Sequence, residues 1–290
     1  MTLPLLERLK ERIEEEMQEH FRSFKGKSLL KDACFYSIAG GGKRLRPLLV
    51  LSIAEAIGKN WNAMPSALAV EFFHTASLIA DDLPCMDNEE VRREKPSLHR
   101  AFGENTALLA SYSLISMGYE KIVKNAQLIK DDSFGKRLVL ALNEASKASG
   151  ITGATGGQFL DLNLSKPTFH KICKIIYQKT ITLFEIAFLL GWIFGGGDLS
   201  FSKRIKKAAF HLGMAFQVAD DLQDLEEDIR RKNLKNMAAF LGKKKAYTLV
   251  QGEVDAFVSS LKELGLFTTT FQEIALLLRN CYSETKATIV

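Results

Sequence analysis

Apolar residues recur at three- and four-residue spacing along almost all of this 290-residue chain, and that period restricts its fold more than any other feature. Such spacing lines apolar side chains along one stripe of an α-helix. Leu6, Leu9, Ile13 and Met17 form a stripe on a charged N-terminal segment. The same reading predicts helices over 48–57, 66–80, 108–123, 134–148, 168–194 and 202–229, one from Met237 onward, and one over 269–284. Alternating runs bounded by turn dipeptides, the mark of strands, are missing. The expected fold class is therefore all-α, a single large bundle of long helices. Several of these helices are apolar on most faces, which suits the inside of a large helical assembly or a subunit contact. Glycine runs at 40–42, 156–157 and 195–197 read as helix boundaries.

With 47% hydrophobic residues the chain can bury a large core. Six scattered prolines and no Gly/Ser-rich linker predict one domain over 1–290. The net charge of +5 is mild and its signs are mixed along the chain, while Lys243-Lys244-Lys245 lacks the aromatic interleaving of a nucleic-acid surface, so no nucleic-acid partner is expected. The longest apolar stretch, 181–194, contains Glu185 and falls short of the ~20 residues of a membrane span, so no transmembrane segment is expected. Residues 1–19 are charged and hold no apolar signal core. Cys34, Cys85, Cys173 and Cys281 stand far apart with no C-x-x-C pair, which argues against zinc and for a reduced, cytoplasmic protein.

One tetrapeptide, Ala-Asp-Asp-Leu, occurs twice, each time where an apolar helix ends. The first copy opens a cluster of Asp81, Asp82 and Asp87, followed by Asn88, Glu89 and Glu90, and Pro84 stops or kinks the helix there. Carboxylates at a helix C-terminus meet the negative end of the macrodipole and need a cation to offset the repulsion. The second cluster is Asp220, Asp221 and Asp224, whose offsets of zero, one and four gather them toward one helical face. Oxygen-only ligands with no His or Cys pair select a hard cation. Magnesium is favoured over calcium because it binds through a few carboxylates and accepts phosphate oxygens. Either cluster alone reads equally well as an acidic solvated turn; two in the same context favour metal binding.

Cations that could hold phosphate accompany them. Gly40-Gly41-Gly42-Lys43-Arg44-Leu45-Arg46-Pro47 joins a flexible backbone to three positive side chains at a helix start. Arg92 and Arg93 follow the first acidic cluster and could clamp phosphates bidentately. Lys179-Thr180 lies one turn before the apolar run, Gln217 shares a face with Asp220 and Asp221, and Gly156-Gly157-Gln158 with Asp161 forms a small polar knot. Alone, each of these reads as a helix kink or a satisfied polar contact. His74, two turns before the aspartates on an apolar helix, reads alone as structural.

Together these stretches resemble the trans-prenyltransferase (polyprenyl diphosphate synthase) family. The resemblance rests on GGKRLRP, DDLPCMD, RREKPSLH, GGQFLD, the Lys-Thr pair and FQVADDLQD, which follow one another in the family's order from Gly40 to about Lys235. The string 74–103 is particularly similar to bacterial and plant-type farnesyl and geranylgeranyl diphosphate synthases, whose aspartate motif is two residues wider. The resemblance implies a helical bundle around a central cavity, usually homodimeric. It implies Mg2+ held on an allylic diphosphate by Asp81, Asp82, Asp87, Asp220, Asp221 and Asp224. Arg92, Lys179 and Lys235, with Lys232 as the alternative to Lys235, would bind that diphosphate. Lys43, Arg46, His74 and Arg93 would hold isopentenyl diphosphate, and Thr180 and Gln217 would line the reacting region. The chain departs from the family pattern with Ala80 in place of a second His, Glu94 in place of a common Gly, Ser111-Tyr112 in place of Gly-Asp, and a short stretch after Asp224.

In this family the product's length is set by side chains upstream of the first motif. Ala76 and Ser77 are small, Phe72 and Phe73 lie further back, and Tyr112 on another helix could intrude. Geranylgeranyl diphosphate is the favoured product, with farnesyl diphosphate the alternative. A terpene cyclase would have no need of GGKRLRP or Arg93, and a non-catalytic partner subunit would be expected to have lost an aspartate motif.

Overall fold

The computed structural model describes residues 4–230 and 235–280. Lys232, Cys281 and the last residues of the helix expected over 269–284 lie outside them. Contacts divide the chain into two compact units, Met1–Ala145 with Ile193–Gly196, and Ser146–Trp192 with Gly197–Val290.

In the first unit the helices are α1 (Pro4–Arg22), α2 (Leu29–Ile38), α3 (Leu45–Ile57), α4 (Met64–Asp81), α5 (Leu98–Phe102), α6 (Glu104–Ala126) and most of α7 (Phe134–Ser149). Ser28 starts α2 by accepting a hydrogen bond from Lys31 N at 3.3 Å, the usual work of an N-cap hydroxyl. Pro65 sits in the first turn of α4, where a missing N–H leaves no bond unmade. α4 then buries nearly every residue from Ser66 to Phe73, including the carboxylate of Glu71. Phe72 is fully buried, with its ring centroid 5.3 Å from that of His20 and 6.1 Å from that of Phe21 on α1. Phe73 lies against α6, edge-on to Tyr119 at 5.1 Å.

The second unit holds α8 (Ala154–Leu162), α9 (Phe169–Ile176), most of α10 (Thr182–Phe194), α11 (Ser202–Gln223), α12 (Leu225–Arg230), α13 (Met237–Leu241), α14 (Lys243–Glu263) and α15 (Thr269–Arg279). α10 is buried on all sides, as its composition requires. Phe188 meets Phe257 of α14 and Phe271 of α15 at 6.2 and 6.0 Å. Among the described residues no helix is long and apolar enough to cross a membrane.

The all-α class holds, with local departures. A two-residue hairpin pairs Val91–Arg92 with Lys95–Pro96, too short and too charged to show as alternation. The helix read over 168–194 is interrupted by a π-turn at Tyr177–Ile181, one extra residue per turn that an apolar period does not register. Residues 202–229 break at Asp224, which caps α11. Gly156 and Gly157 sit inside α8 rather than at its boundary.

Candidate active site

In the first unit α4 ends at Asp81, with Asp82 as its C-cap. The chain then curls back: Met86 N and Asn88 N donate to Leu83 O at 2.9 and 3.1 Å, and Asp87 N donates to Asp81 O at 2.9 Å. The wider aspartate motif is therefore a closed loop that returns Asp87 to the helix end. Asp82 is buried, Asp81 half-buried and Asp87 exposed.

Asp82 meets Arg92 from the hairpin. Arg92 Nε lies 3.1 Å from both carboxylate oxygens, and Nη2 also donates to Oδ1. That bond raises the guanidinium above its ordinary range. Between the two strands Arg93 and Glu94 both adopt left-handed conformations, φ 52° and 63°, the signature of a type I′ turn. The turn points Arg93 at the glycine loop, where Nη1 donates to Gly41 O at 2.5 Å. Gly42, at φ +123°, has no room for a side chain: an added Cβ would stand 2.7 Å from Arg93 Cζ.

Arg46, on the first turn of α3, has Nη1 3.3 Å from His74 Nε2 on α4. Burial first, then Arg46, Arg93, Arg44 and Arg92, push His74 well below its usual range, so the imidazole is neutral. With Nε2 accepting from Arg46, the proton sits on Nδ1, which is buried and has no partner among the described residues. Lys43 is exposed beside them. Arg44 differs from the expectation of three phosphate-facing cations. It is 2% exposed at φ 50°, with Nε 2.6 Å from Glu14, Nη1 2.5 Å from Glu71, and Nη2 donating to Ile38 O. It anchors the loop from below.

In the second unit Asp220 and Asp221 occupy the last turn of α11, and Asp224 N closes on Asp220 O at 3.0 Å. Asp220 and Asp224 stand one turn apart. Asp221 turns aside: Oδ1 accepts from Gln217 Nε2 at 3.0 Å and Oδ2 from Met237 N at 2.7 Å. Burial, with Asp220 and Asp228 nearby, pushes its carboxyl up to about 7 despite those donors. Thr180 Oγ1 donates to Gln217 Oε1 at 2.8 Å, so Thr180, Gln217 and Asp221 form one hydrogen-bonded line. Lys179 Nζ and Lys235 Nζ lie 2.7 and 2.9 Å from the two oxygens of Asp161.

The acidic residues fit magnesium in donor type. Among the described residues no three His, Cys, Asp or Glu side chains converge on one point. An ion would take one or two carboxylates and complete its octahedron with water and phosphate oxygens, which is magnesium's habit.

Residues 27–250, which run through both units, match the polyprenyl synthetase family. The chain is 37% identical over 229 residues to the heterodimeric geranylgeranyl pyrophosphate synthase large subunit 1, chloroplastic, of Arabidopsis thaliana, covering 77% of this chain and 61% of that protein. It is 37% identical over 221 residues to farnesyl diphosphate synthase of Geobacillus stearothermophilus, covering 75% of this chain and 73% of the relative. The structure superposes on an FPP/GFPP synthase from Zymomonas mobilis with a TM-score of 0.80 at 29% identity, covering 94% of this chain and 97% of the other.

Proposed function

This chain belongs to the polyprenyl synthetase family, and on that premise we propose that it is a Mg2+-dependent, cytoplasmic short-chain prenyltransferase acting as one domain. It joins isopentenyl diphosphate to an allylic diphosphate. The observation that carries this reading is the gathering of Arg46, His74 and Arg93 at the glycine loop, beside the aspartate motif. A synthase needs that second diphosphate pocket and a terpene cyclase does not.

Asp81, Asp82, Asp87, Asp220, Asp221 and Asp224 would hold magnesium, which when bound neutralises the allylic diphosphate and makes it a better leaving group. Arg92, Lys179 and Lys235 donate to the same diphosphate. Arg92, bonded to Asp82 here, would donate to phosphate oxygens instead, leaving the Asp82 carboxylate to hold the ion. Lys43, Arg46, the neutral His74 and Arg93 hold isopentenyl diphosphate. The allylic C–O bond breaks with its electrons going to diphosphate, and oxygens of Thr180 and Gln217 steady the carbocation. The double bond of isopentenyl diphosphate attacks that cation, and a proton lost to the released diphosphate ends the step. Apolar walls exclude the water that would trap the cation.

Geranylgeranyl diphosphate is the proposed product. Ser77, one turn before Asp81, is small, and the next aromatic on that face, Phe73, is already held against Tyr119. Farnesyl diphosphate is the alternative, and one relative is named for it. The enzyme acts as a homodimer, a reading supported by Leu108, Leu109 and Tyr112 of α6, which are 40%, 52% and 57% exposed in the single chain.

The test incubates the pure protein with magnesium, isopentenyl diphosphate and, in turn, dimethylallyl, geranyl and farnesyl diphosphate, then sizes the products. A twenty-carbon diphosphate is expected. Fifteen carbons would overturn the product length, and a hydrocarbon product, or none from this chain alone, would overturn the synthase.

A further inference from the structure

We propose that Asp161 is a positioning residue whose carboxylate gathers the ammonium groups of Lys179 and Lys235 at one point, poised for an allylic diphosphate. The inference rests on the prenyl-transfer reading, which gives those lysines a substrate.

The two lysines arrive from different segments. Lys179 belongs to the π-turn, and Lys235 precedes α13 by two positions. Neither position fixes where a long, flexible side chain ends, and each lysine loses rotamer freedom on being held. Asp161 holds both ends, with Oδ2 2.7 Å from Lys179 Nζ and Oδ1 2.9 Å from Lys235 Nζ. The Asp161 side chain is 11% exposed and sits on a helix, a stiffer mount than a loop. Burial would raise its pKa, but the two ammonium groups outweigh burial and hold it below the usual carboxylate range. The carboxylate also offsets repulsion between two like charges brought together before any substrate arrives.

The GGQFLD motif explains how the helix gets close enough. Gly157 and Asp161 lie one turn apart and share a face of α8. A Cβ on Gly157 would stand 2.2 Å from Lys179 N, so only glycine lets α8 press on the π-turn. Asp161, one turn on, then reaches the side chain of the residue whose backbone Gly157 touches. An ammonium has three N–H donors, so each lysine commits only one of them to Asp161.

The test uses Asp161→Asn, which keeps the shape and removes the charge, with far-ultraviolet circular dichroism to show that the helices remain. KM for the allylic diphosphate is expected to rise about tenfold, while KM for isopentenyl diphosphate stays within twofold of the parent. Asp161→Glu should recover part of the loss. In a Lys179→Ala/Lys235→Ala background Asp161→Asn should add less than twofold, because it acts through the lysines. An allylic KM within twofold of the parent, an equal rise in both KM values, or a full additive effect without the lysines would each overturn the proposal. Should the parent form no prenyl product, the prenyl-transfer reading fails, and calorimetry with inorganic diphosphate and magnesium still reads the positioning role. Roughly tenfold weaker diphosphate binding by Asp161→Asn supports it; unchanged or tighter binding refutes it.

Discussion

Replacing Arg44 by Met should destabilise the protein by about 3 kcal/mol, at the lower end of the 3–5 kcal/mol typical when one partner of a buried ion pair is removed. The guanidinium has no exposed surface and ties three elements together: Glu14 of α1, Glu71 of α4 and Ile38 O at the end of α2. Burial pulls the arginine's pKa down, but the two carboxylates outweigh it and hold the guanidinium above its ordinary range. Met fills a similar volume, so the loss is electrostatic. Glu14, with a side chain 30% exposed, can hydrate instead, and Glu71 retains Arg93 Nη2 at 3.9 Å, which is why the lower end applies. Urea unfolding followed by circular dichroism reads the change as a lower midpoint at an unchanged slope. Adding Glu71→Gln should recover at least half of the loss, since the stranded buried charge is gone. A loss under 1 kcal/mol, or a double variant no better than Arg44→Met, would refute the account of Arg44 as a buried anchor.

Three further outcomes are expected. His20 is packed among Phe21, Phe24 and Phe72, and burial, followed by Lys121 and Lys124 against the opposing Glu120, lowers it from 6.5 to about 4. Its contribution is complete above pH 6.5 and lost as pH falls toward 4, on the order of 3 kcal/mol; His20→Leu should flatten that part of the stability–pH curve, and an unchanged slope would count against it. Glu94→Gly should stabilise by about 0.5–1 kcal/mol, because residue 94 sits at φ 63° where glycine is unstrained; a lowered melting temperature would contradict this. Ser77→Phe should shorten the product of a geranylgeranyl synthase, read by chromatography, and an unchanged twenty-carbon product would show that growth does not pass residue 77.

The sequence made the helices and the two acidic ends legible because both depend on local spacing: the apolar period and a pair of aspartates where it stops. It failed where long-range contact decides. Arg44 reads as one of three loop cations, yet Glu14, thirty residues earlier in the chain, and Glu71 turn it inward. Gly157 reads as a helix break, and only the approach of Lys179 N shows why a glycine stands mid-helix. The bond that Asp221 accepts from Met237 N, sixteen residues on, is likewise invisible in local spacing. Asp161 appears in the sequence as part of a polar knot, with nothing local to show that two distant lysines meet there. The π-turn leaves no trace in an apolar period, and a four-residue hairpin ladder is too short to impose one.

The claim on which the account depends is that both acidic helix ends serve catalysis by holding magnesium on the allylic diphosphate. Turnover of Asp81→Ala and of Asp220→Ala, measured separately with saturating magnesium and both substrates, tests it most directly. Each variant should remain helical and lose detectable prenyl transfer; product formation near the parent rate by either variant would contradict the account.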